Sequence, residues 1–465
     1  MMINYFNFKK LGNEYLITND LGRHSFVDLK TLKSLVQNDC ETLLPEVRTK
    51  LKDNYFITGE SRQEYLEQIT PHMRDFKNHL LRSTGLFIFV LTNSCNLNCV
   101  YCQAQSENSK TKGMMTEEIA KLGVDIALQS PTPDIIIEFQ GGEPLLNFDT
   151  IKTIIEYADN NRSGKNITYN LVSNLSLLTE PIADYLVKHN VQISVSLDGN
   201  DYVHNTNRPF RLGGGSFETA CKGIKLLQQR NITLGAIQTT TRYSLTHYKE
   251  IIDTYIKLGF KSIFIRPLTQ LGFANDHWEQ IGYSAEEFLT FYKNAMDYIL
   301  KLNSNDMVFS EGHASIFLRK IIGGYSQNYM ELRSPCGASI GQAAIYYDGN
   351  IFTCDEGRMV AEMGDSAFKI GDVYKSTYND LIDSGVCKAV CSASCLESLP
   401  SCCDCVYQPY CGVCPVINYA LNKDLFSKNY QNTRCLIYSG ILDYIFGILQ
   451  SNNSEYIDIF ERWIN

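Results

Sequence analysis

Cys95, Cys99 and Cys102 stand at Cys-x3-Cys-x2-Cys spacing in the stretch Asn93-Ser94-Cys95-Asn96-Leu97-Asn98-Cys99-Val100-Tyr101-Cys102. The stretch directly follows an apolar, β-prone run over residues 86–91. A loop that leaves a strand and folds three thiols toward one point can hold a metal cluster. Thiolates are the usual ligands of iron–sulfur clusters, and a cubane has four irons to ligate, so three thiols leave one iron open. Structural zinc takes four closed ligands, and no fourth cysteine or histidine lies close by in the sequence.

A second concentration of thiols lies near the C-terminal end. Cys336 is followed by twelve residues, Gly349, four residues and Cys354; then come Cys402-x2-Cys405-x5-Cys411-x2-Cys414 and finally Cys435. Residues 336–354 read as a hairpin with Asp348-Gly349-Asn350 at its turn and Tyr346 and Phe352 on its arms, which brings Cys336 and Cys354 together. Cys387, Cys391 and Cys395 form a further Cys-x3-Cys-x3-Cys run, a spacing that puts them on one helical face. Cys-x2-Cys pairs also serve zinc ribbons, so spacing alone leaves zinc and iron–sulfur open for this region. Cys40, Cys221 and Cys403 read as free thiols.

The elements that must position these groups alternate. Strands are expected at residues 86–91, 134–140, 167–172, 191–197, 234–240 and 262–267. Helices are expected near 116–128, 148–160, 180–189, 217–229 and 245–258. Six strands each followed by a helix argue for an α/β fold with a parallel barrel or sheet. Chemistry in such barrels sits at the carboxyl ends of the strands, where the three-cysteine loop falls. Gln140-Gly141-Gly142-Glu143-Pro144 closes the second strand. Its glycines let backbone approach a ligand, and Glu143 can accept hydrogen bonds from an ammonium group. Ser196-Leu197-Asp198-Gly199 ends the fourth strand, with Asp198-Gly199 equally readable as a turn. Asn174 ends the third, Arg208 lies on a loop, and Arg266 in strand six is expected at the barrel mouth. Trp278 reads as core packing near the cleft, and residues 286–302 as an amphipathic helix. Residues 1–80 form a separate small α+β unit, a hairpin (15–18 and 24–27) followed by helices at 28–37 and 43–53, with 62–82 a charged connector. The barrel is expected over 84–310, a cysteine-rich domain over 330–440 and a helix over 441–465.

With 465 residues, 44% hydrophobic and 20% charged, the chain reads as a soluble protein of two or three domains. It contains no apolar run long enough for a membrane span, and its start lacks the pattern of a signal peptide, so the expected location is cytoplasmic. A net charge of −9 without a long basic run argues against nucleic-acid binding. In a reducing cytosol sixteen cysteines, eleven of them from Cys336 onward, read as metal ligands rather than disulfides.

The first cysteine motif, with an aromatic residue before its third cysteine, resembles the signature of radical S-adenosylmethionine (SAM) enzymes. The resemblance implies a partial (β/α)6 barrel, a [4Fe–4S] cluster on Cys95, Cys99 and Cys102, and a fourth iron that chelates the methionine part of SAM. It implies that one electron cleaves SAM to methionine and a 5′-deoxyadenosyl radical, which abstracts substrate hydrogen. Tyr101 would pack near the adenine; Gln140, Gly141, Gly142 and Glu143 would meet the SAM amino group; Ser196 and Asn174 would help to place SAM; Arg208 would meet its carboxylate. The tail resembles the SPASM extension, which implies two auxiliary [4Fe–4S] clusters, one on Cys336, Cys354 and Cys414 and one on Cys402, Cys405, Cys411 and Cys435. Two residues rather than the family's three separate Cys411 from Cys414, and the first auxiliary cluster lacks an obvious fourth ligand. Either Cys387, Cys391 or Cys395 supplies it, or the iron stays open for substrate. Asp355 matches the place of an aspartate that acts as a base in formylglycine-forming relatives, or it tunes the adjoining cluster. The N-terminal unit resembles the winged-helix domains that grip a leader peptide. The wording Pro335-Cys336-Gly337-Ala338, Thr353-Cys354-Asp355-Glu356-Gly357-Arg358 and Tyr407-Gln408-Pro409-Tyr410-Cys411-Gly412-Val413-Cys414-Pro415 is most similar to the B-type His-Xaa-Ser system maturases. The opening residues 8–12 and 16–20 resemble them too. That likeness implies a ribosomally made peptide substrate with His-Xaa-Ser repeats, a second radical SAM maturase as partner and a flavodoxin- or ferredoxin-type electron donor. The reaction would be a crosslink, with formylglycine formation and a non-catalytic iron–sulfur peptide-binding or electron-transfer role as alternatives.

Overall fold

Alternation of apolar and polar side chains decides the central sheet. The computed structural model describes residues 2–59, 61–106, 113–327, 329–426 and 432–464. Its strands are β1 (Met2–Ile3), β2 (Asn7–Leu11), β3 (Glu14–Thr18), β4 (His24–Val27), β5 (Ile57–Thr58), β6 (Leu86–Val90), β7 (Asp134–Gln140), β8 (Asn166–Ser173), β9 (Gln192–Ser196), β10 (Leu234–Thr239), β11 (Ser262–Arg266), β12 (Ser310–Glu311), β13 (Gln342–Ile345), β14 (Asn350–Phe352) and β15 (Lys369–Asp372). On β7, Ile135, Ile137 and Phe139 are fully buried in the core, whereas Glu138 and Gln140 on the opposite face are only half-buried. Successive side chains of a strand point to opposite faces, so this pattern leaves a polar row along the concave side of the sheet. The register aligns Ile88, Glu138, Asn170 and Gln192 across β6 to β9.

Strands β6 to β12 are parallel neighbours in sequence order, and helices Glu117–Leu128, Phe148–Asn161, Glu180–Lys188, Phe217–Gln228 and Tyr248–Lys257 connect the first six of them. All six expected barrel strands are present to within two residues, and β12 extends the row beyond them. Helix starts carry side-chain caps: Thr116 accepts the Ile119 N–H, and Asn200 accepts the Val203 N–H.

The barrel does not end at an open edge on β6. Strand β13 of the cysteine-rich region pairs parallel with β6, and β14 and β15 continue antiparallel, which makes a single ten-stranded sheet. The β13–β14 pair is the expected hairpin, with Gly349 at φ +89° and the Tyr346 N–H donating to the Asn350 carbonyl at 2.8 Å.

The N-terminal unit holds the three-stranded sheet β2-β3-β4, helices Leu29–Val36 and Pro45–Asp53, and the small β1–β5 pair. Strand β2 is an addition to the expected hairpin. The unit is not a separate body on a tether. Asn7 Nδ2 donates to the carbonyls of Cys403 and Cys405 at 3.0 and 3.1 Å, and Thr18 Oγ1 donates to that of Val406 at 2.6 Å. Phe446 of the C-terminal helix packs against His24, Tyr407 and Tyr410.

Two expectations are corrected. The single helix expected over 441–465 is two, Thr433–Ser451 and Ser454–Ile464, because Asn452 takes a left-handed conformation (φ +55°) that stops the first. The first therefore begins earlier and carries Cys435 in its opening turn. Cys387, Cys391 and Cys395 do not share one helix, since the helix Gly385–Ser392 ends before Cys395. Among the described residues no helix is long and apolar enough to cross a membrane.

Candidate active site and cluster sites

The loop after β6 is fixed by β7's end. The Gly142 N–H donates to the Thr92 carbonyl at 2.8 Å and the Glu143 N–H to the Ser94 carbonyl at 3.0 Å. A Cβ at Gly141 would stand 2.3 Å from the Thr92 oxygen, and one at Gly142 would stand 2.2 Å from the Ser94 oxygen. These glycines thus admit the cysteine loop's own backbone, a neighbour that the motif alone does not reveal. Glu143 is fully buried and accepts from the Ser173 hydroxyl (2.7 Å), the Asn174 N–H (2.9 Å) and the Leu145 N–H (3.0 Å). Burial raises its carboxyl to about 6 against the pull of those three bonds.

The three loop thiols are neighbours. Burial pushes the Cys95 thiol up, and Cys99, Glu143 and Cys102 add to the effect. Burial raises Cys99 to about 12, with Arg208 opposing. Cys95 Sγ accepts the Leu97 N–H and Cys102 Sγ the Ser106 N–H, each at 3.4 Å. Asn174 Nδ2 lies 4.0 Å from Cys95 Sγ, and Arg208 Nη1 lies 4.0 Å from Cys99 Sγ.

Arg208 is buried, not solvated. Its guanidinium stands over the Tyr101 ring (5.2 Å) and pairs with Asp198 (3.1 Å). Asp198, itself fully buried, also accepts the Tyr101 hydroxyl at 2.7 Å and the Thr239 N–H at 3.1 Å. The Asp198 N–H donates to His204 Nδ1 (3.3 Å), His204 Nε2 meets Ser216 Oγ (3.0 Å), and Ser216 bonds the Arg208 carbonyl. The sequence leaves Asp198 equally readable as a turn or as part of a ligand-placing segment and gives His204 no role; an acid before a glycine at a strand's carboxyl end is the available signal. Ser196 ends β9, half-buried, and Gln140 Nε2 donates to Glu138 Oε1 at 2.6 Å. Glu138 is a further missed residue. Burial raises its carboxyl, hydrogen bonds from Gln140 and Asn170 oppose that, and the charge of Asp355 adds to the rise while that of Arg266 opposes it. Arg266 bonds Glu331 at 2.6 Å. Trp278 packs on Tyr283, as expected of a core residue.

The tail thiols fall into two groups. Cys336, Cys354 and Cys414 share one apolar cluster with Val390, Met359 and Val416, and Cys102 packs against its edge. Burial, Glu356, Cys414 and Cys336 all push the Cys354 thiol up. Cys354 Sγ caps the helix Asp355–Glu362 by accepting the Gly357 N–H at 3.3 Å. Asp355 pairs with the buried Arg358 at 2.8 Å, and Arg358 in turn feels Cys102. In the other group desolvation raises the thiol of the half-buried Cys411, and Cys405, Cys435 and Cys402 add to the effect. Cys405 Sγ accepts the Tyr407 N–H at 3.4 Å. Buried Lys320 ties the groups together by donating to the Leu332 and Tyr410 carbonyls.

Among the described residues no three His, Cys, Asp or Glu side chains converge tightly enough for a single metal ion. The donor sets suit iron–sulfur ligation: buried thiols gather in groups, and four of their sulfurs already accept backbone N–H bonds of the kind that tune cluster potentials. Asn170 Oδ1, on the same face of the sheet as Glu138, is a buried polar atom without a hydrogen-bond partner, which suits a lumen that receives a polar ligand.

Residues 89–241 match the radical SAM superfamily. An uncharacterized protein of Methanocaldococcus jannaschii is 31% identical over 51% of this chain and 86% of its own length. A cysteine-type anaerobic sulfatase-maturating enzyme of Clostridium novyi is 24% identical over 71% of this chain and 87% of its own. Among solved structures, anSMEcpe with bound AdoMet and Cp18Cys peptide shares the fold at TM-score 0.65 and 19% identity, covering 80% of this chain and 99% of that one. Streptococcus suis SuiB bound to the precursor peptide SuiA does so at TM-score 0.54 and 15% identity, covering 91% and 97%. With its cysteine loop at the carboxyl end of the first parallel strand, the chain belongs to the radical SAM superfamily and is one of its enzymes.

Proposed function

We propose that this enzyme modifies, by crosslinking, a ribosomally made peptide, and that it carries three [4Fe–4S] clusters. The observation that carries the reading is the stack of thiol groups: Cys102 of the barrel loop packs against the cluster of Cys336, Cys354 and Cys414. When bound on Cys95, Cys99 and Cys102, the cluster and SAM together supply a 5′-deoxyadenosyl radical that takes a hydrogen atom from the peptide. The chain's own residues bind and orient. Arg208 offers its charge to the SAM carboxylate, with Asp198 holding it in place. Tyr101 presents its ring beside the adenine, Ser196, Asn174 and Gln140 line the strand ends, and Glu143 fixes the loop that meets the amino group. Cys336, Cys354 and Cys414, and Cys402, Cys405, Cys411 and Cys435, would hold the two auxiliary clusters, which would supply an acceptor for the electron left as the new bond closes.

The N-terminal unit is the place for a leader. Among the described residues strand β4 pairs only with β3, and a cavity of about 280 Å³ beside it is lined by Val27, Thr31, Leu43, Val47 and Lys50. An extended peptide can add to such a free edge. The His-Xaa-Ser substrate, the second radical SAM maturase and the flavodoxin- or ferredoxin-type donor remain part of this proposal on the wording of the tail.

Formylglycine formation is the second reading, favoured by Asp355, which follows Cys354 and pairs with the buried Arg358. Incubation of the reduced enzyme with SAM and a candidate peptide, read by 5′-deoxyadenosine and fragment mass spectra, separates the two. A crosslink removes two hydrogens and silences fragments inside the ring, whereas formylglycine is captured by an aldehyde trap. Absence of 5′-deoxyadenosine under reduction refutes both.

A further inference from the structure

We propose that Cys391 is the fourth thiolate of the first auxiliary cluster, beside Cys336, Cys354 and Cys414, so that this cluster is closed by protein and passes electrons rather than binding substrate. The inference rests on the iron–sulfur reading of those three cysteines and selects one of three cysteines that spacing leaves equivalent.

Helical geometry does the selecting. On the helix Gly385–Ser392, Cys387, Val390 and Cys391 lie at i, i+3 and i+4, which is one face. Val390 on that face is fully buried and packs in the same apolar cluster as Cys336, Cys354 and Cys414. Ser394, one turn beyond, accepts the Cys336 N–H on its Oγ at 3.0 Å and donates to the Val390 carbonyl at 2.7 Å. The Leu396 N–H bonds Ser334 Oγ at 2.9 Å. The end of the helix is thus stitched to the segment that delivers Cys336, with Cys391 between the stitching residues. Burial lowers the Arg333 guanidinium, and the thiols of Cys336 and Cys391 nearby oppose that shift.

The other two candidates make different contacts. Cys387 makes its sulfur contact with Cys391 itself and reaches Ser339, the position of a group that hydrogen-bonds a ligand sulfur. Cys395 lies beyond the helix, with its Sγ 3.5 Å from Glu397 Oε2. A closed cubane has no iron free for an outside ligand, and that is the measurable difference.

The experiment uses full-length protein purified and reconstituted without oxygen. Cys391→Ser, Cys391→Asp, Cys387→Ser and Cys395→Ser are compared by iron and sulfide content. EPR of the reduced proteins, with and without cyanide, is recorded in a background where Cys95, Cys99 and Cys102 are alanine. The expected result is about twelve irons per wild-type chain and no change of the auxiliary signal with cyanide. Cys391→Ser either falls to about eight irons or gains a cyanide-shifted signal; Cys391→Asp regains the iron with a shifted spectrum; Cys387→Ser and Cys395→Ser keep wild-type iron. A cyanide-shifted wild-type signal, or a Cys391→Ser protein with wild-type iron and spectrum, overturns the proposal while leaving the auxiliary clusters standing. About four irons in the wild type overturns both this proposal and the three-cluster reading.

Discussion

Asp198 shows how much one buried carboxylate can organise. It accepts from Tyr101 and Thr239, pairs with Arg208, and is itself oriented through His204 and Ser216. Replacing it with asparagine leaves a buried guanidinium without its counter-charge, a change that costs about 3–5 kcal/mol. Asp198→Asn is therefore expected to lower the unfolding midpoint and to cut 5′-deoxyadenosine formation at least tenfold, with iron on Cys95, Cys99 and Cys102 retained. His204 gives the network a pH dependence. Burial lowers its ring from 6.5 to about 4, so the folded state stays neutral where the unfolded state takes up a proton. Stability from this residue is complete above pH 6.5 and is lost as pH falls toward 4, up to about 3 kcal/mol. Denaturant titrations at pH 7 and pH 4.5 check this: wild type loses more between them than His204→Gln. Little of this network is legible in the sequence. Tyr101 stands in the three-cysteine motif and Arg208 on a loop, but that both meet Asp198 depends on three strand ends converging, which no local pattern states.

At the scale of elements, local pattern serves well for β6 to β11, where buried parallel strands alternate with amphipathic helices of ordinary length. It fails where partners are distant in sequence. The pairing of β13 with β6 and the bonds from Asn7 to Cys403 and Cys405 join segments more than two hundred residues apart. The two glycines of the Gly-Gly-Glu-Pro turn illustrate the same limit: their type was informative, but the neighbour that requires them is the cysteine loop itself. The docking of β2 and β3 on residues 403–406 carries its own prediction. Asn7→Ala with Thr18→Val removes three hydrogen bonds to those carbonyls, each worth about 1 kcal/mol. Amide exchange across residues 402–411 should rise at least tenfold, while exchange in β7 and β8 stays at the wild-type rate. Equal exchange in both regions would mean that the N-terminal unit does not clamp that segment.

Across the whole molecule, the N-terminal unit, barrel, cysteine-rich region and C-terminal helices form one interlocked body. The aromatic contacts of Phe446 join the first and last of these, and Lys320 joins the two auxiliary segments. The ten-stranded sheet also bears on how such enzymes can be recombined. Strand β13 occupies the flank of β6, so the cysteine-rich region is not an appendage that can be cut away or exchanged at a linker. A chain stopped at residue 335 would bare the backbone of a strand whose Ile88 and Val90 are buried in the intact protein, a template for intermolecular pairing. Such a truncation is expected in the insoluble fraction, and a chimera that takes this region from a relative should succeed only if β6 and β13 are inherited together.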